Sequence, residues 1–318
     1  KFYFFVRKIK YDKKIENDSI IFLKDDIKKS LCCFHLLQNL AYHYLIQNLF
    51  EKIKKNDNKI FYLFENQPWE RSLIFRNRNL KKHKIFAYSH TTINYWHLNY
   101  FNTKTDNKHY LDNFLPEKIL CHSRNCRAHL LSQGYKSNQL LNVSAERFRW
   151  ATNISKINFS KKNKKILVIG DYEKRINLNL INLINDLANN GLYDQKFSII
   201  YKPHPSTFYD LSNLNSKIST TRKDLKDILK NFEIIVSTNS TAASAEVSLA
   251  KKNVLIFVDY LNLDLSPFKL KNKFKNDFNF SHQSDLRKLL LKKNIKNFKG
   301  YNFYFKRKYQ KNWEKLFK

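Results

Sequence analysis

The chain has 318 residues, which is long enough for two α/β domains of ordinary size. Hydrophobic residues make up 42% of it and aromatic residues 15%, so core material is ample and general disorder is excluded. No uninterrupted apolar run approaches the roughly 20 residues that a membrane span requires. We therefore expect a soluble protein that is at most peripheral to a membrane.

The basic excess is large, with 59 Lys and Arg against 27 Asp and Glu and a formal net charge of +32. A charge of this size raises nucleic acid or an anionic membrane as a partner. The Lys residues are scattered, and an abundance of Lys, Asn, Ile, Phe and Tyr beside only 4 Gly and 5 Pro is typical of an AT-rich genome. We therefore expect no nucleic acid partner. Attraction to an acidic membrane surface would be weak, at about 1 kcal/mol for each well-placed Lys.

Four cysteines in a chain of this size do not suggest a disulfide framework. Cys121, His122, Cys126 and His129 carry side chains that can bind a metal ion, but their spacing is not that of a zinc ribbon. Cys121 also falls within a predicted strand. We therefore expect no metal site.

The first half of the chain predicts an incomplete Rossmann-like domain. The chain starts at Lys1 without a Met or a visible signal peptide, which is typical of a fragment or a processed chain. Short strands are predicted at 1–7 and 19–23, before a helix at 26–54 with apolar residues at helical spacing. Further strands are predicted at 59–64, 84–88, 118–121 and 139–143. We assign this acceptor domain to residues 1–152.

Polar side chains follow several of these strands. Glu65, His90 and Arg147 each come after a predicted strand end, and the carboxyl ends of parallel strands form the ligand crevice of an open sheet, so all three are expected to face one cleft. Pro68 is tolerated in the first turn of a helix, which places Glu70 on that turn. Glu70 is a candidate catalytic base. Stabilisation of the helix dipole, worth a few tenths to about 1 kcal/mol, is the alternative explanation for it.

The second half of the chain predicts a complete doubly wound domain. Residues 153–164 are polar, rich in Lys and Asn and without periodicity, and they are expected to be a linker. Strands and helices then alternate through residues 165–300. The tail, 301–318, is aromatic and basic at helical spacing. We expect it to form a helix that packs back across the first domain.

A stiff loop with the sequence Lys202-Pro203-His204-Pro205 follows one strand of this second half. The two prolines prevent their neighbours from adopting helical structure or pairing in a β-sheet. The His is therefore held on an exposed loop just after the strand. A His beside a phosphate site can bond a leaving phosphate or protonate it. An ordinary surface turn is the alternative.

A hydroxyl-rich segment lies between a strand predicted at 233–236 and a helix predicted at 241–250. Unpaired backbone N–H groups, the positive helix end and several hydroxyls would converge there on a phosphate. The hydroxyls belong to Ser237, Thr238, Ser240 and Thr241. The alternative is that Ser240 or Thr241 only caps the helix.

Three further positions belong to the predicted nucleotide and phosphate site. Gly170, followed by Asp171, ends a strand at 165–169, and a Gly there permits the close backbone approach of a tight strand-to-helix turn. Glu246 lies inside the helix that follows the hydroxyl segment. It is a candidate for holding a ribose or a base, and a solvated helix residue is the alternative.

The order and spacing of these motifs resemble the bacterial surface carbohydrate biosynthesis protein family, between about residues 60 and 270. The segments that carry the resemblance are Glu65 to Glu70, Leu115 to Ile119, Glu146 to Phe148, Lys202 to Pro205, Ser237 to Glu246 and Leu261 to Pro267. The pattern is also similar to the sialyltransferases and Kdo transferases of bacteria, which use CMP-sugars. This resemblance implies an α/β fold of the GT-B type, in which two Rossmann-like domains face a cleft.

The resemblance also implies a reaction, the transfer of a sugar to a glycan or lipid-linked glycan during surface polysaccharide or lipopolysaccharide synthesis. The donor would be an acidic sugar activated with CMP. This nucleotide-sugar would be a co-substrate, and the enzyme would need neither a cofactor nor a metal ion. Such an enzyme would be cytoplasmic, at the inner face of the inner membrane at most. The acidic acceptor motif of many bacterial sialyltransferases is absent, because the chain has only 4 Gly.

The chemistry of this reaction suggests a role for each candidate. Negative charge grows on the departing phosphate, which Lys202 and His204 would stabilise. The acceptor hydroxyl needs a base, for which Glu65 is the first candidate, Glu70 the second and His90 the third. His90 and Arg147 are otherwise assigned to acceptor binding.

Two other functions stay open. A nucleotide-sugar epimerase of the same fold would need an acid/base pair near the donor sugar and no acceptor site. An RNA-binding protein would need a contiguous basic stripe with exposed aromatic residues.

Overall fold

The computed structural model of the protein describes residues 33–53, 57–80, 83–94, 97–100, 114–154, 164–189, 197–207, 211–250, 252–259, 265, 278–292 and 301–318. The strands predicted at 1–7 and 19–23 lie outside these residues, as does most of the segment 261–267. The chain divides into two compact units. The smaller contains the described residues within Lys1–Asn58, Gln67–His83 and Asp112–Leu115, and the larger contains the rest, including both β-sheets.

Two helices form most of the described part of the smaller unit. Helix α1 spans Phe34–Lys52, inside the region predicted as helical, and α2 spans Pro68–Leu80. Pro68 opens α2 as predicted, because the first turn needs no N–H from it. Phe50 of α1 is fully buried and stacks on His83, with 5.4 Å between the ring centroids. Aromatic packing thus fixes the end of α1 within this unit.

The first sheet of the larger unit has four parallel strands in the order β1-β2-β3-β4. These strands are β1 (Lys59–Leu63), β2 (Lys84–Tyr88), β3 (Lys118–Cys121) and β4 (Leu140–Asn142). Helix α3 (Arg124–Ser132) follows β3. Ser123 caps it, since its Oγ accepts the Cys126 N–H at 3.0 Å. A 3-10 helix at Glu146–Asn153 follows β4.

The second sheet has six parallel strands in the order β10-β9-β8-β5-β6-β7. They are β5 (Lys164–Ile169), β6 (Phe197–Lys202), β7 (Ser219–Thr220), β8 (Ile234–Thr238), β9 (Asn253–Phe257) and β10 (Asn279–Phe280). The helices between and after them are α4 (Lys174–Asn189), α5 (Leu225–Ile228), α6 (Ala243–Leu249) and α7 (Gln283–Leu291). Alternation of strand and helix with a parallel sheet is the predicted doubly wound pattern.

Apolar cores cover both faces of the second sheet. One core joins the sheet to α4 and α7 and includes Ile166, Leu180 and Leu286. The other includes Leu167 and also Phe148, which the 3-10 helix after β4 supplies. Consecutive residues of β5 thus point into different cores, which is why this strand reads as a continuous apolar run.

The C-terminal helix, α8 (Arg307–Phe317), packs back on the first sheet as predicted. The Trp313 ring lies 5.1 Å from the Tyr88 ring and 6.4 Å from the Phe61 ring, between centroids. Its Nε1 also donates to the Ser144 carbonyl at 3.2 Å. The aromatic positions of the tail therefore face the sheet, as expected of an amphipathic helix.

The hydroxyl-rich segment differs from its prediction. Ser237 and Thr238 continue strand β8, where they pair in register with Ile256 and Phe257 of β9. The loop is correspondingly shorter, and α6 begins only at Ala243. The apolar residues of the predicted strand end at position 236. The observed strand is longer, because hydrogen bonding to β9 extends it through the two hydroxyl residues.

The domain boundaries at 152, 164 and 300 stay predictions. Within the described part of the chain, no helix combines the length and the apolar character needed to cross a membrane.

Candidate active site

A cleft of about 380 Å³ lies at the carboxyl ends of strands from both sheets of the larger unit. The first sheet contributes residues after β2 and Arg147 after β4. The second sheet contributes the ends of β5 and β6, the residues before α6, and Asp224. Among the predicted site residues, the cleft brings together Arg147, Lys202, His204, Ser240, Thr241 and Glu246. This position agrees with the rule for ligand sites of open parallel sheets.

Lys202 and His204 form the cationic part of the cleft. Lys202 is only 8% exposed, and within the described residues no group accepts a hydrogen bond from its ammonium. Burial lowers the pKa of Lys202, and the carboxylate of Asp224 partly opposes this. A nearly buried ammonium without an acceptor favours an anionic ligand.

The hydrogen bonds of His204 define its tautomer. The Ser206 N–H donates to Nδ1 at 3.3 Å, and the Ser206 Oγ lies 2.7 Å from the same atom. Nδ1 is therefore an acceptor, and the ring proton of the neutral imidazole is on Nε2. Burial and then Lys202 lower the pKa of His204, while Asp171 raises it. His204 thus offers an Nε2–H donor near neutral pH.

Asp171 is fully buried, and it organises the strand ends behind the cleft. The hydroxyls of Thr238 and Ser240 both donate to its Oδ2, and its Oδ1 accepts the Glu173 N–H at 3.0 Å. Each hydroxyl has a single O–H, so neither has a donor left for a phosphate. Asp171 therefore ties the end of β5 to the end of β8 and orients these hydroxyls.

Gly170 is required by the same polar network. A Cβ at this position would lie 2.5 Å from the Tyr201 Oη and 2.8 Å from the Asn177 Oδ1. Asn177 Oδ1 accepts both the Asp171 N–H at 2.8 Å and the Tyr201 hydroxyl at 3.0 Å. The close approach predicted for Gly170 is therefore an approach to two buried side chains.

Thr241 acts locally at the start of α6. Its Oγ1 accepts the Ala243 N–H at 3.3 Å, and its carbonyl accepts the Ser244 hydroxyl at 2.8 Å. Thr241 thus satisfies a free N–H in the first turn of α6, but the N-cap is Ala242, so Thr241 lies one residue before the capping position left open for it by the sequence. Ser237 is buried within β8, and its Oγ has no hydrogen-bond partner in the described part of the chain.

Glu246 and Arg147 line the cleft from different sheets. Burial raises the pKa of the Glu246 carboxyl, and the Arg147 guanidinium opposes that shift. The two charges are thus close enough to interact electrostatically. Arg147 also donates to the His90 carbonyl at 3.2 Å, which connects it to the end of β2.

His90 and Glu65 form a pair at the ends of β2 and β1. Glu65 Oε1 lies 3.6 Å from His90 Nε2, and the Glu65 side chain is 51% exposed. Burial and then Arg147 lower the pKa of His90, while Glu65 raises it. A neutral imidazole beside a carboxylate can accept a proton and be stabilised once it is charged.

Glu70 belongs to the smaller unit and is 1% exposed. Its Oε1 accepts the Gln67 N–H at 3.0 Å, in the first turn of α2. This contact satisfies one of the free N–H groups at the helix start. A catalytic role for Glu70 stays a prediction.

Several lining residues were not predicted from the sequence. Thr91, Thr92, Asn94 and His97 come from the segment after β2, and Tyr172 and Asp224 come from the second sheet. The rule that sites gather at strand ends could have found Thr91 and Tyr172, which closely follow strands. Asp224 has no such signal, because only the folded path of its loop places it in the cleft.

The fold is that of two Rossmann-like domains facing a cleft, the GT-B type, as predicted. No protein-family profile matches the sequence, and no curated protein matches it. The structure is similar to UDP-GlcNAc 2-epimerase of Methanocaldococcus jannaschii in complex with UDP-GlcNAc and UDP. The two share 15% identity at a TM-score of 0.55, over 90% of this chain and 82% of that one.

A second similar structure is S. aureus MnaA with UDP, at 11% identity and a TM-score of 0.53, over 81% of this chain and 71% of that one. A third is MurG of Acinetobacter baumannii, at 11% identity and a TM-score of 0.42, over 80% and 62%. Likeness at these identities shows the fold alone.

Proposed function

We propose that the protein binds a nucleotide-sugar in this cleft and transfers the sugar to an acceptor. The observation that carries the proposal is Lys202, a residue only 8% exposed that lines the cleft and whose ammonium finds no acceptor within the described residues. His204 adds an Nε2–H donor in the same cleft. A phosphate group is the anion that suits a cation and a directed donor side by side.

Two similar structures support a nucleotide as the source of that phosphate. The Methanocaldococcus jannaschii epimerase holds UDP-GlcNAc and UDP, and S. aureus MnaA holds UDP. Both have TM-scores above 0.5 to this chain. A cleft of about 380 Å³ is also within the usual range for small-molecule sites.

The transfer itself would use both sheets. Lys202 and His204 stabilise the charge that grows on the departing phosphate. Glu65, directly or through His90, is the proposed base for the acceptor hydroxyl, and Arg147 holds the His90 backbone beside the cleft. Asp171 acts indirectly, by orienting Thr238 and Ser240.

The finer sequence predictions belong to this proposal. They are a CMP-activated acidic sugar as donor, a glycan or lipid-linked glycan as acceptor, and a place in surface polysaccharide synthesis at the inner face of the membrane. The similarity to sialyltransferases and Kdo transferases supports them at the level of sequence pattern. Metal-independent binding is also part of the proposal.

A thermal-shift screen tests the proposal. CMP, CDP, UDP, GDP and ADP are each added to the wild type, to Lys202→Ala and to His204→Ala, with and without EDTA. We expect one nucleotide to raise the melting temperature of the wild type by mass action, with EDTA making no difference. Both variants should lose most of that shift, because they lose the donors to its phosphates. No shift with any of the five nucleotides would contradict the proposal.

An epimerase is the second candidate, and the similarity to the Methanocaldococcus jannaschii enzyme favours it. The discriminating experiment is incubation of the stabilising nucleotide's sugar conjugate with the protein and no acceptor. An epimerase converts the sugar to its epimer with the nucleotide still attached. A transferase leaves the conjugate unchanged or slowly releases the nucleotide by hydrolysis.

A further inference from the structure

We infer that Thr91, Thr92, Asn94 and His97 bind the uncharged, hydroxyl-bearing sugar of the nucleotide-sugar, and that Asn94 Oδ1 accepts a hydrogen bond from one of its O–H or N–H groups. This inference rests on the proposed binding of a nucleotide-sugar, and it replaces the acidic sugar of that proposal, which only the sequence pattern supports, by a neutral one. It departs from the acidic sugar predicted from the sequence. The sugar class it names is a neutral hexose or an N-acetylhexosamine.

Asn94 carries the inference because it is buried, lines the cleft and has an unused acceptor. It is 2% exposed, and its Oδ1 has no hydrogen-bond partner within the described part of the chain. Its own backbone is held in a turn, since its carbonyl accepts the His97 N–H at 3.2 Å. A buried acceptor without a donor is unfavourable unless a ligand supplies one.

The neighbours of Asn94 define the kind of ligand. Thr91, Thr92 and His97 line the same part of the cleft, and Thr92 is 4% exposed. Burial lowers the pKa of His97, so its imidazole is neutral at pH 7. The described lining residues from this segment therefore carry hydroxyl, amide and imidazole groups and no formal charge, which suits sugar hydroxyls.

A carboxylate on the sugar is disfavoured at this position. At Asn94 Oδ1 a carboxylate would bring negative charge against a partial negative charge and would leave the acceptor without a donor, whereas a sugar O–H or N–H satisfies it. Arg147 is the lining cation from the first sheet, and it already donates to the His90 carbonyl and interacts with Glu246. The charged groups of the cleft thus serve the nucleotide end, and the neutral segment serves the sugar end.

The test measures dissociation constants by calorimetry at pH 7. The probes are UDP, UDP-glucose and UDP-glucuronate, which differ only in the sugar and its carboxylate, and the pairs GDP with GDP-mannose and CMP with CMP-N-acetylneuraminate. The wild type is compared with Asn94→Ala, Asn94→Asp and the control Asn142→Ala. Asn142 also has an unpaired Oδ1, at the end of β4, and is not among the described lining residues.

We expect the wild type to bind a neutral nucleotide-sugar more tightly than its parent nucleotide and more tightly than the acidic conjugate. The neutral sugar should increase the affinity over that of the nucleotide alone, and Asn94→Ala should reduce this increase by about tenfold. The affinity for the nucleotide itself should be unchanged. Asn94→Asp should retain the gain, because a carboxylate still accepts, and it should weaken UDP-glucuronate further. Asn142→Ala should behave as the wild type.

Three results would overturn the inference. One is that Asn94→Ala still binds the neutral nucleotide-sugar more tightly than the nucleotide by the wild-type factor. Another is that a folded Asn94→Asp variant loses this increase in affinity. The third is tighter binding of UDP-glucuronate or CMP-N-acetylneuraminate than of the neutral conjugates. Absence of binding by UDP, GDP and CMP themselves would instead remove the proposed function, and the inference with it.

Discussion

The carboxyl edges of the two sheets satisfy their buried polar groups differently. At the edge of the second sheet, Asn177 accepts from the Asp171 N–H and the Tyr201 hydroxyl. Asp171 in turn accepts from the hydroxyls of Thr238 and Ser240. At the edge of the first sheet, polar atoms of five buried or half-buried side chains have no partner within the described residues. These are His90 Nδ1, Asn94 Oδ1, Asn142 Oδ1, Ser144 Oγ and both ring nitrogens of His122.

This difference indicates a division between stability and binding. A fully bonded buried network is rigid and fixes the positions of Lys202 and His204 before any ligand arrives. An edge with unused acceptors is completed by what binds to it. Ser237 Oγ, unpaired within β8, is the exception on the second sheet. Substitutions in the bonded network of Asp171, Asn177 and Tyr201 should therefore affect folding, and those at Asn94 should affect recognition.

The largest expected effect is that of Gly170→Ala. The new Cβ would lie 2.5 Å from the Tyr201 Oη, so the buried network must shift. We expect a loss of about 3 kcal/mol in the free energy of unfolding, which is the upper end for overpacking. Urea denaturation followed by circular dichroism measures it.

A second variant separates this clash from other effects of the methyl group. In Gly170→Ala/Tyr201→Phe the nearest atom is removed, and part of the loss should be recovered relative to Tyr201→Phe alone. If Gly170→Ala lowers the free energy of unfolding equally with and without Tyr201→Phe, the Tyr201 hydroxyl does not clash with the new methyl group. The buried network would then be less rigid than we infer.

Asp171→Asn should have the next largest effect. The amide keeps the size of the carboxylate, but its oxygen carries no charge to strengthen the hydrogen bonds from Thr238 and Ser240, and its NH2 group cannot accept the Glu173 N–H as Oδ1 does. We expect a loss of about 2 kcal/mol in unfolding free energy, within the range for hydrogen bonds to charged groups. The same urea experiment measures it, with Ser240→Ala and the double variant completing a cycle.

The cycle also has a definite outcome for the role of Asp171. If Asp171 acts through Ser240, the double variant should lose less than the sum of the single ones. Strict additivity would contradict an indirect role for Asp171.

His129 of α3 gives a smaller, pH-dependent effect on the first sheet. Burial, followed by His97, lowers its pKa from 6.5 to about 4. The neutral form is thus favoured in the folded state, and this stability is complete above pH 6.5 and lost as the pH falls toward 4. Between pH 7 and pH 5.5 the loss should be about 1 kcal/mol.

The measurement compares unfolding free energies at the two pH values. In His129→Gln, the decrease in unfolding free energy between pH 7 and pH 5.5 should be smaller than in the wild type by about 1 kcal/mol. The exposed His282→Gln serves as the control and should show the wild-type dependence. An unchanged dependence in His129→Gln would mean that this side chain is not buried in its neutral form.

Much of the second sheet could be predicted from the sequence, because its strands are buried on both faces and read as apolar runs. The same runs predicted the strand ends, and the structure places His204 and Ser240 in one cleft. The role of Asp171 could not be read in this way. Its partners Thr238 and Ser240 lie 67 and 69 positions after it in the chain.

The first sheet shows the other limit of sequence reasoning. The strand predicted at 84–88 has the observed bounds of β2, yet Asn94, six residues beyond it, carries no sequence signal for a site. An Asn after a strand is ordinary in any loop. Only the fold shows that its side chain is buried with an unused acceptor, because burial depends on what packs around the loop.

The smallest expected effect on stability, and one of opposite sign, is that of Asn94→Leu. Replacing the amide by an apolar group of similar size removes a buried acceptor that has no donor in the free protein. The free energy of unfolding should rise by up to about 1 kcal/mol, while the gain in affinity from a neutral sugar is lost. Urea denaturation without ligand measures the first quantity, and calorimetry with UDP and UDP-glucose measures the second. A destabilised Asn94→Leu would mean that this edge is also bonded internally, and the two sheets would then not divide stability from binding.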